Sequence, residues 1–334
     1  MVALYLTSQE KGSGKTAIAA GIGKHLLGGG KEVGFFKPII IGSQKQSTEG
    51  DSDAEFIRQS FFLAEPVEQL NPVISGGSSL DSLKEAYAGV SQGKDVVIIE
   101  GSSEQYPAAP GIVKALNARL IIIESYSREP VEIPDGYKSF GESLLGIVLN
   151  KVPESRREQV LSQASARLDR SGIALLGVIP EDRALLALTI GELVERIQGE
   201  IFRGAEQSAE LVENIMLGAN VVDPGPDYFG RKANKAAIIR SERPDMQMAA
   251  METSTRCLVL AGDTPLKPVV LYKAEEKNIP IILARDSVAG IIAKIEDTPG
   301  KFKFNQDRKL PRLSGILEQH FSFPTLYKGL GLAS

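Results

Sequence analysis

A short glycine-rich stretch with a lysine and a threonine, Glu10–Thr16, most constrains what this chain can fold into. It reads Glu-Lys-Gly-Ser-Gly-Lys-Thr and stands between an apolar run, Val2–Thr7, and a segment with the apolar spacing of a helix. Backbone N–H groups of a turn that contains glycine can point at phosphate oxygens, and the N-terminus of the following helix adds partial positive charge. The stretch therefore predicts a strand, a phosphate-binding loop and a helix, in that order.

The residues of this loop are expected to contact a nucleotide. Lys15 would reach the β- and γ-phosphates and is also predicted as a catalytic residue, while the Thr16 hydroxyl would bind Mg²⁺. The strict pattern G-x-x-x-x-G-K-[ST] is not met at its first position, where Gln9 stands. A plain glycine-rich turn with a solvated lysine is the alternative. The predicted contacts are Lys11, Gly12, Ser13, Gly14, Lys15, Thr16 and Ala17.

A magnesium nucleotide needs carboxylates nearby, and two places in the sequence offer them. Glu100 follows the apolar run Val96–Ile99, and the carboxyl ends of strands in an open α/β sheet face the crevice where ligands bind. Asp53 belongs to the polar stretch Asp51–Asp53 after an earlier strand. We predict Thr16, Asp53 and Glu100 as the metal ligands; a helix cap for Asp53 and a solvated turn for Glu100 are the alternatives.

Two further polar residues also follow apolar runs. Lys37 comes after Val33–Phe36 and precedes Pro38, and it is predicted as a phosphate-contacting, catalytic residue rather than a surface lysine. Asn150 ends the run Gly146–Leu149. A side-chain amide can donate to and accept from a purine edge, so Asn150 is predicted to contact adenine, with a turn-forming asparagine as the alternative.

Apolar runs and helical segments alternate along the first 200 residues. This alternation predicts right-handed crossovers and an α/β fold with a doubly wound, mostly parallel sheet. The expected helices include Ser82–Val90 and Arg156–Arg170, and Thr189 with Glu192 predicts a capping box. The expected strands are Val2–Thr7, Val33–Phe36, Val96–Ile99, Leu120–Ile123, Gly146–Leu149 and Leu175–Ile179.

The pattern restarts after Arg203 and predicts a second, smaller α/β domain. We expect a helix over Glu206–Met216, then strands at Ala236–Arg240, Cys257–Ala261 and Ile279–Ala284. The predicted domains are therefore residues 1–204 and 205–325. The segment from residue 301 onward, rich in Lys, Pro and Gly, is expected to lie on the surface.

Composition excludes several classes of protein. A single cysteine excludes a disulfide framework and a cysteine-based metal site, and two histidines make a histidine-rich metal centre a poor hypothesis. The net charge of −4 gives no electrostatic support for nucleic-acid binding. No apolar run reaches the length of about 18–20 residues that a membrane span needs. We expect a cytoplasmic protein without a nucleic-acid or membrane partner.

Taken together, these residues resemble the dethiobiotin synthetase-like branch of P-loop proteins, over about residues 1–200. The run Gly177–Arg183 is similar to the segment that closes over the nucleotide base in that family, so the resemblance implies that Pro180 contacts the nucleotide. ATP and Mg²⁺ are the implied cofactors. The matching pieces are Thr7 with Gly14–Thr16, Gly34–Pro38, Asp51–Ala54, Ile99–Gly101 and Leu149–Lys151.

The whole chain is similar to the N-terminal regulatory part of long bacterial phosphate acetyltransferases, which joins such a domain to a DRTGG domain. The motif that names the second domain is reduced here to Ser241–Asp245. In those enzymes the acetyl-transferring domain lies C-terminal to this region. We therefore expect that residues 1–334 are not a phosphate acetyltransferase by themselves.

Two functions compete on these residues, and a relic that binds nothing is a third alternative. One is an ATP-dependent ligase of the dethiobiotin synthetase or cobyrinic acid diamide synthase type, on an unidentified substrate. The other, which we favour, is an ATP-binding regulatory or sensing module that is at most a slow ATPase. A homo-oligomer and a partner enzyme are both open as its partners. Lys11, Ile41 and Ser102–Glu104 replace the small and hydroxyl residues that the ligases use on the acceptor side.

Overall fold

Short, buried apolar runs form most of the strands, as is typical of parallel sheets covered on both faces. The computed structural model describes residues 1–41, 52–75, 79–127, 135–218, 225–296, 304 and 306–333. The strands are β1 (Val2–Thr7), β2 (Val33–Phe36), β3 (Ile39–Ile41), β4 (Val73–Ser75), β5 (Val96–Glu100), β6 (Arg119–Ser125), β7 (Leu144–Val152), β8 (Leu175–Pro180), β9 (Leu188–Thr189), β10 (Glu200–Arg203), β11 (Leu211–Val212), β12 (Asn214–Gly218), β13 (Lys235–Arg240), β14 (Thr255–Ala261) and β15 (Ile281–Ala284).

Helices alternate with these strands. Across the described ranges, no helix is both long enough and apolar enough to cross a membrane. The helices are α1 (Lys15–Gly28), α2 (Ser52–Phe61), α3 (Val67–Leu70), α4 (Ser79–Ser91), α5 (Ala109–Ala115), α6 (Arg157–Arg170), α7 (Ile190–Ile197), α8 (Gly225–Phe229), α9 (Pro244–Met251), α10 (Pro268–Glu276), α11 (Val288–Glu296), α12 (Leu310–His320) and α13 (Phe323–Leu330).

The chain forms two compact units, Met1–Asp182 with Lys303–Ser334, and Arg183–Phe302. The first unit contains a six-stranded sheet in the order β2-β5-β1-β6-β7-β8, and all of its strand pairs are parallel. Strand order runs outward in both directions from β1, which is the arrangement of a doubly wound sheet. The predicted α/β fold class is confirmed, and the carboxyl ends of β1, β5, β6 and β7 meet at one edge.

The second unit contains a five-stranded sheet in the order β10-β15-β14-β13-β12, in which only β10 runs antiparallel to its neighbour. Successive residues of β13 alternate between two apolar clusters: Ile239 packs with α8–α10 on one face, and Ile238 packs with α7 and α11 on the other. The capping box predicted at the start of α7 is present, with Thr189 and Glu192 bonding reciprocally.

The helix expected over Glu206–Met216 is wrong. This segment contains a short 3₁₀ helix, Ala205–Gln207, followed by β11 and the start of β12. Strand pairing explains why this segment is not a helix. β12 pairs in parallel with β13, with Asn214 opposite Lys235. The apolar residues of Asn214–Gly218 alternate across the sheet, and this tertiary pairing outweighs local helix propensity.

The C-terminal segment does not lie on the surface as expected. α12 and α13 bury Leu313, Leu317, Leu326 and Leu330 within the first unit. Gly21 of α1 leaves room for this packing, since a Cβ there would lie 2.1 Å from Leu317 Cδ1. The structure therefore divides the chain differently from the expected boundaries at 204 and 325: α7 and β10 belong to the second unit, and α12 and α13 to the first.

Candidate functional site

The loop between β1 and α1 turns at two glycines in the left-handed region. Gly12 has φ +79° and Gly14 has φ +93°, values that residues with a Cβ rarely adopt. The Ser8 hydroxyl braces the entry to the loop, because it accepts from the Glu10 N–H at 3.0 Å and donates to the Glu10 carbonyl at 3.1 Å. Lys15 begins α1 and is only 8% exposed, with Nζ 3.5 Å from the Glu10 carbonyl.

Four predicted residues, from α1, α2, β5 and the connection after β2, meet beside this loop; we call Thr16, Lys37, Asp53 and Glu100 the carboxylate cluster. The Thr16 hydroxyl lies 3.0 Å from Glu100 Oε1 and 3.4 Å from Asp53 Oδ2. The Lys37 ammonium lies 2.9 Å from Asp53 Oδ2 and 3.2 Å from Glu100 Oε1. One hydroxyl and one ammonium therefore share the same two carboxylate oxygens.

Burial controls the electrostatics of the cluster. Burial raises the pKa of Glu100, which is 4% exposed, and the Lys37 charge opposes that rise. Burial lowers the pKa of Lys15, and the Glu100 charge opposes that change. Each charge is thus costly by itself and is stabilised by an opposite neighbour, which is typical of a ligand-binding site built from ionised groups.

The donor set fits a hard divalent cation that keeps several water or phosphate ligands. Glu100 Oε2 is buried and makes no hydrogen bond among the described residues. Over these same ranges no group of three or more His, Cys, Asp and Glu side chains could hold a metal. Magnesium usually binds one or two carboxylates and completes its shell with water and nucleotide phosphate, so Thr16, Asp53 and Glu100 match its needs.

A third acidic residue, which was not predicted from the sequence, lies at this edge. Glu124 lies near the end of β6, next to β1 in the sheet, and accepts a hydrogen bond from the Tyr137 hydroxyl at 2.5 Å. Burial raises the pKa of Glu124, and the Tyr137 bond opposes that rise. Glu124 also interacts electrostatically with Lys15. The signal was present, because Glu124 follows an apolar strand just as Glu100 does.

Asn150 and Lys151 contact the loop from β7. The Asn150 amide donates to the Ser13 carbonyl at 2.8 Å, and the Lys151 ammonium donates to the Gly12 carbonyl at 2.7 Å. Asn150 is 8% exposed. The predicted contact of Asn150 with adenine stays a prediction, but the structure places its amide against the loop backbone.

The remaining predicted residues lie further from the cluster or outside the described part of the chain. Lys11 is exposed, and Pro180 ends β8, paired with Val152 of β7. Ser102, one of the residues that replace the small residues of the ligases, caps a short 3₁₀ helix, because its hydroxyl accepts from the Gln105 N–H at 3.3 Å. The side chain of Ile41 and all of Asp51 lie outside the described part of the chain.

Residues 2–188, more than half of the chain, match the sequence profile of the AAA domain. The chain belongs to the AAA domain family. Residues 192–298 match the DRTGG domain, so a DRTGG domain follows the AAA domain, as the resemblance implied.

Known relatives align with nearly all or about half of this chain. The chain is 23% identical over 368 residues to a phosphate acetyltransferase of Nitrosomonas europaea, covering 99% of this chain and 52% of that protein. It is 28% identical over 204 residues to a hydrogenobyrinate a,c-diamide synthase of Mycobacterium tuberculosis, covering 55% of this chain and 40% of that protein. The chain thus spans about half the length of the acetyltransferase relative.

A solved structure of cobyrinic acid a,c-diamide synthase from Mycobacterium smegmatis, with bound ADP and magnesium, is similar to this chain. The TM-score is 0.35 at 15% sequence identity, and the match covers 55% of this chain and 88% of that one.

Proposed function

We propose that the AAA domain binds Mg-ATP at the loop Glu10–Thr16 and that the chain is a regulatory or sensing protein related to the N-terminal region of phosphate acetyltransferases. The observation that carries the proposal is the carboxylate cluster beside that loop. The Thr16 hydroxyl lies within 3.4 Å of a Glu100 and an Asp53 oxygen, and the buried Glu100 Oε2 makes no hydrogen bond among the described residues. These groups would form a hard-cation site next to the proposed phosphate-binding turn.

Each residue of the cluster has a role in this proposal. When bound, Mg²⁺ would orient the β- and γ-phosphates and offset their charge. Thr16, Asp53 and Glu100 would hold the ion, and Lys15 would face the same phosphates. Lys37 forms ion pairs with Asp53 and Glu100, at 2.9 and 3.2 Å, and is placed to exchange this pairing for a phosphate contact.

An ATP-dependent ligase is the second candidate, favoured by the similarity to a diamide synthase over 55% of the chain. The residues on the acceptor side argue against a ligase. Lys11 is exposed, and the Ser102 hydroxyl accepts from the Gln105 N–H as a helix cap. A ligase must hydrogen-bond its acceptor, since polar groups left unpaired in a closed site cost about 1–3 kcal/mol each. We therefore favour the regulatory function, with a cytoplasmic location where ATP is available and with a homo-oligomer or a partner enzyme as the receiver of the signal.

The two functions differ in the products that the purified protein makes. With Mg-ATP, bicarbonate and diaminopelargonate, we expect no dethiobiotin and no increase in phosphate release over Mg-ATP alone, because the acceptor side is altered. Product analysis by mass spectrometry and a coupled phosphate assay measure both quantities. Dethiobiotin formed in proportion to enzyme concentration would replace the regulatory proposal with the ligase.

A further inference from the structure

Two consecutive side chains of β7 hold two consecutive carbonyl groups of the phosphate loop. The Lys151 ammonium bonds to the Gly12 carbonyl at 2.7 Å, and the Asn150 amide bonds to the Ser13 carbonyl at 2.8 Å. A trans peptide unit is planar, with its carbonyl and the following N–H pointing in opposite directions. Fixing these two carbonyls toward β7 therefore aims the N–H groups of Ser13 and Gly14 away from β7, as donors for a phosphate.

A bulge in β7 makes this arrangement geometrically accessible. Along a regular strand, neighbouring side chains point to opposite faces of the sheet. In β7, Lys151 has φ +60°, and the register with β8 shifts between Leu149 and Val152. Such a bulge re-aims side chains, and here it brings Asn150 and Lys151 to the same loop.

The Asn150 amide is fixed on both of its polar atoms. Its Oδ1 accepts from the Lys151 N–H at 2.9 Å, which orients Nδ2 toward the loop. The contact is tight, because a Cβ on Gly14 would lie 2.3 Å from Asn150 Nδ2. The loop glycine and the asparagine therefore fit each other, and neither has room to shift toward the other.

We propose that Asn150 and Lys151, which we call the β7 clamp, are positioning residues that fix the phosphate-binding conformation of the loop. The proposal rests on the proposed binding of Mg-ATP. It assigns Asn150 a role toward the polyphosphate rather than toward the adenine ring, and it adds Lys151, to which the sequence analysis gave no role.

The test separates the polyphosphate from the base. Calorimetry measures the dissociation constants of Mg-ATP and of magnesium tripolyphosphate, which has no base, for wild type, Asn150→Ala, Lys151→Met and Lys151→Arg. The matched control is Lys114→Met, which removes an exposed lysine from α5. We expect each clamp truncation to weaken both ligands by the same factor, about three- to tenfold for one lost hydrogen bond. Lys151→Arg keeps a donor and should restore most of the affinity.

A second measurement tests the effect of the β7 clamp on the loop in the protein without nucleotide. Amide hydrogen exchange of residues 10–16 in the ligand-free protein should accelerate in Asn150→Ala and Lys151→Met by a larger factor than exchange in the core strands β1 and β6. Lys114→Met should leave the exchange of the loop unchanged.

The outcomes distinguish the clamp from the proposed function. An Asn150→Ala variant that loses affinity for ATP but not for tripolyphosphate would overturn the clamp in favour of a base contact. Loop exchange that stays at the wild-type rate in both truncations would overturn it as well. If the wild type binds neither ligand while both truncations accelerate loop exchange, the proposed function fails and the clamp on the loop stands.

Discussion

Lys235 carries an ammonium group into the interior of the second unit. The residue is fully buried, and its Nζ donates to Thr253 Oγ1 at 2.8 Å and to the Ser254 carbonyl at 2.9 Å. Both acceptors are uncharged. Burial lowers the pKa of Lys235 to about 8, because the charged form is poorly solvated there.

This buried lysine should give the second unit a pH-dependent stability. Between pH 8 and the ordinary lysine pKa of 10.5, the unfolded chain keeps the proton that the folded chain has lost, so folding becomes more favourable as the pH rises. Relative to Lys235→Met, the wild type should gain about 2–3 kcal/mol of unfolding free energy between pH 7 and pH 10. Urea titrations followed by circular dichroism measure the difference.

Lys232→Met, three residues earlier and exposed, is the matched control and should show no such trend. A constant difference between Lys235→Met and the wild type across this pH range would contradict the prediction.

At the residue scale, much of the carboxylate cluster could be predicted from the sequence, because its members follow a recognisable local pattern. Glu100 ends an apolar strand, and Thr16 follows a glycine-rich turn with a lysine. The pairing of Lys37 with both acids and the contact of Lys151 with the loop depend on the tertiary fold, because residues far apart in the sequence create them. Local patterns do not encode such distances.

At the scale of elements, α1 packs against α12 through a glycine. Gly21 lies in the middle of α1 and is buried, and an added Cβ would lie 2.1 Å from Leu317 Cδ1 and 3.3 Å from Leu313 Cδ2. Glycine normally weakens a helix by about 1 kcal/mol relative to alanine. Close approach of α12 is therefore the reason for glycine at this position.

Gly21→Ala should destabilise the first unit although it raises helix propensity. Overpacking of a buried contact typically costs about 1–3 kcal/mol, and with close contacts to two buried leucines this cost should exceed the propensity gain of about 1 kcal/mol. Gly28→Ala in the same helix has no neighbour within 4 Å of the new Cβ and should be neutral or stabilising. Thermal unfolding followed by circular dichroism compares the two variants, and an equal gain of stability in both would show that α12 does not constrain Gly21.

The helical character of α12, though not its place in the first unit, could have been predicted from the sequence. Leu310, Leu313, Ile316 and Leu317 have the spacing of one helical face. Composition rich in Lys, Pro and Gly obscured this pattern in the surrounding segment. The strand β12 was harder to predict, because its alternation covers only five residues and is fixed by pairing with β13.

At the scale of the whole molecule, the first unit is discontinuous and the second is one continuous segment, Arg183–Phe302. α7 contributes Ile190, Leu193 and Ile197 to an apolar cluster of the second unit. β10 completes the edge of its sheet by pairing with β15. A boundary at residue 204 would remove both elements.

The fragment Arg183–Phe302 should therefore fold by itself, whereas a fragment of residues 205–325 should be unstable. Losing three buried apolar side chains costs about 1.5–3 kcal/mol each, which is comparable to the total stability of about 5–15 kcal/mol of a typical domain. Circular dichroism and urea unfolding of both fragments test this. Equal cooperativity and equal midpoints would show that α7 and β10 are dispensable.

The boundary between the two units could not be predicted from the sequence, and the reason is physical. The restart of the strand–helix pattern after Arg203 was visible, but the pairing of β10 with β15 joins residues about 80 positions apart in the chain. The return of α12 to the first unit likewise depends on contacts with α1 that no local pattern reports. Patterns along the sequence therefore predict how many units the chain forms better than they predict which helices and strands belong to each unit.

Calorimetric titration of the full chain with Mg-ATP tests most directly whether the loop Glu10–Thr16 binds the nucleotide. The wild type should bind at one site. Lys15→Ala should lose about tenfold or more in affinity, because hydrogen bonds to charged groups contribute about 1.5–3 kcal/mol. Lys114→Ala, an exposed lysine on α5, should bind as the wild type does. Mg-ATP binding of unchanged affinity in Lys15→Ala, or no binding by the wild type, would contradict the account.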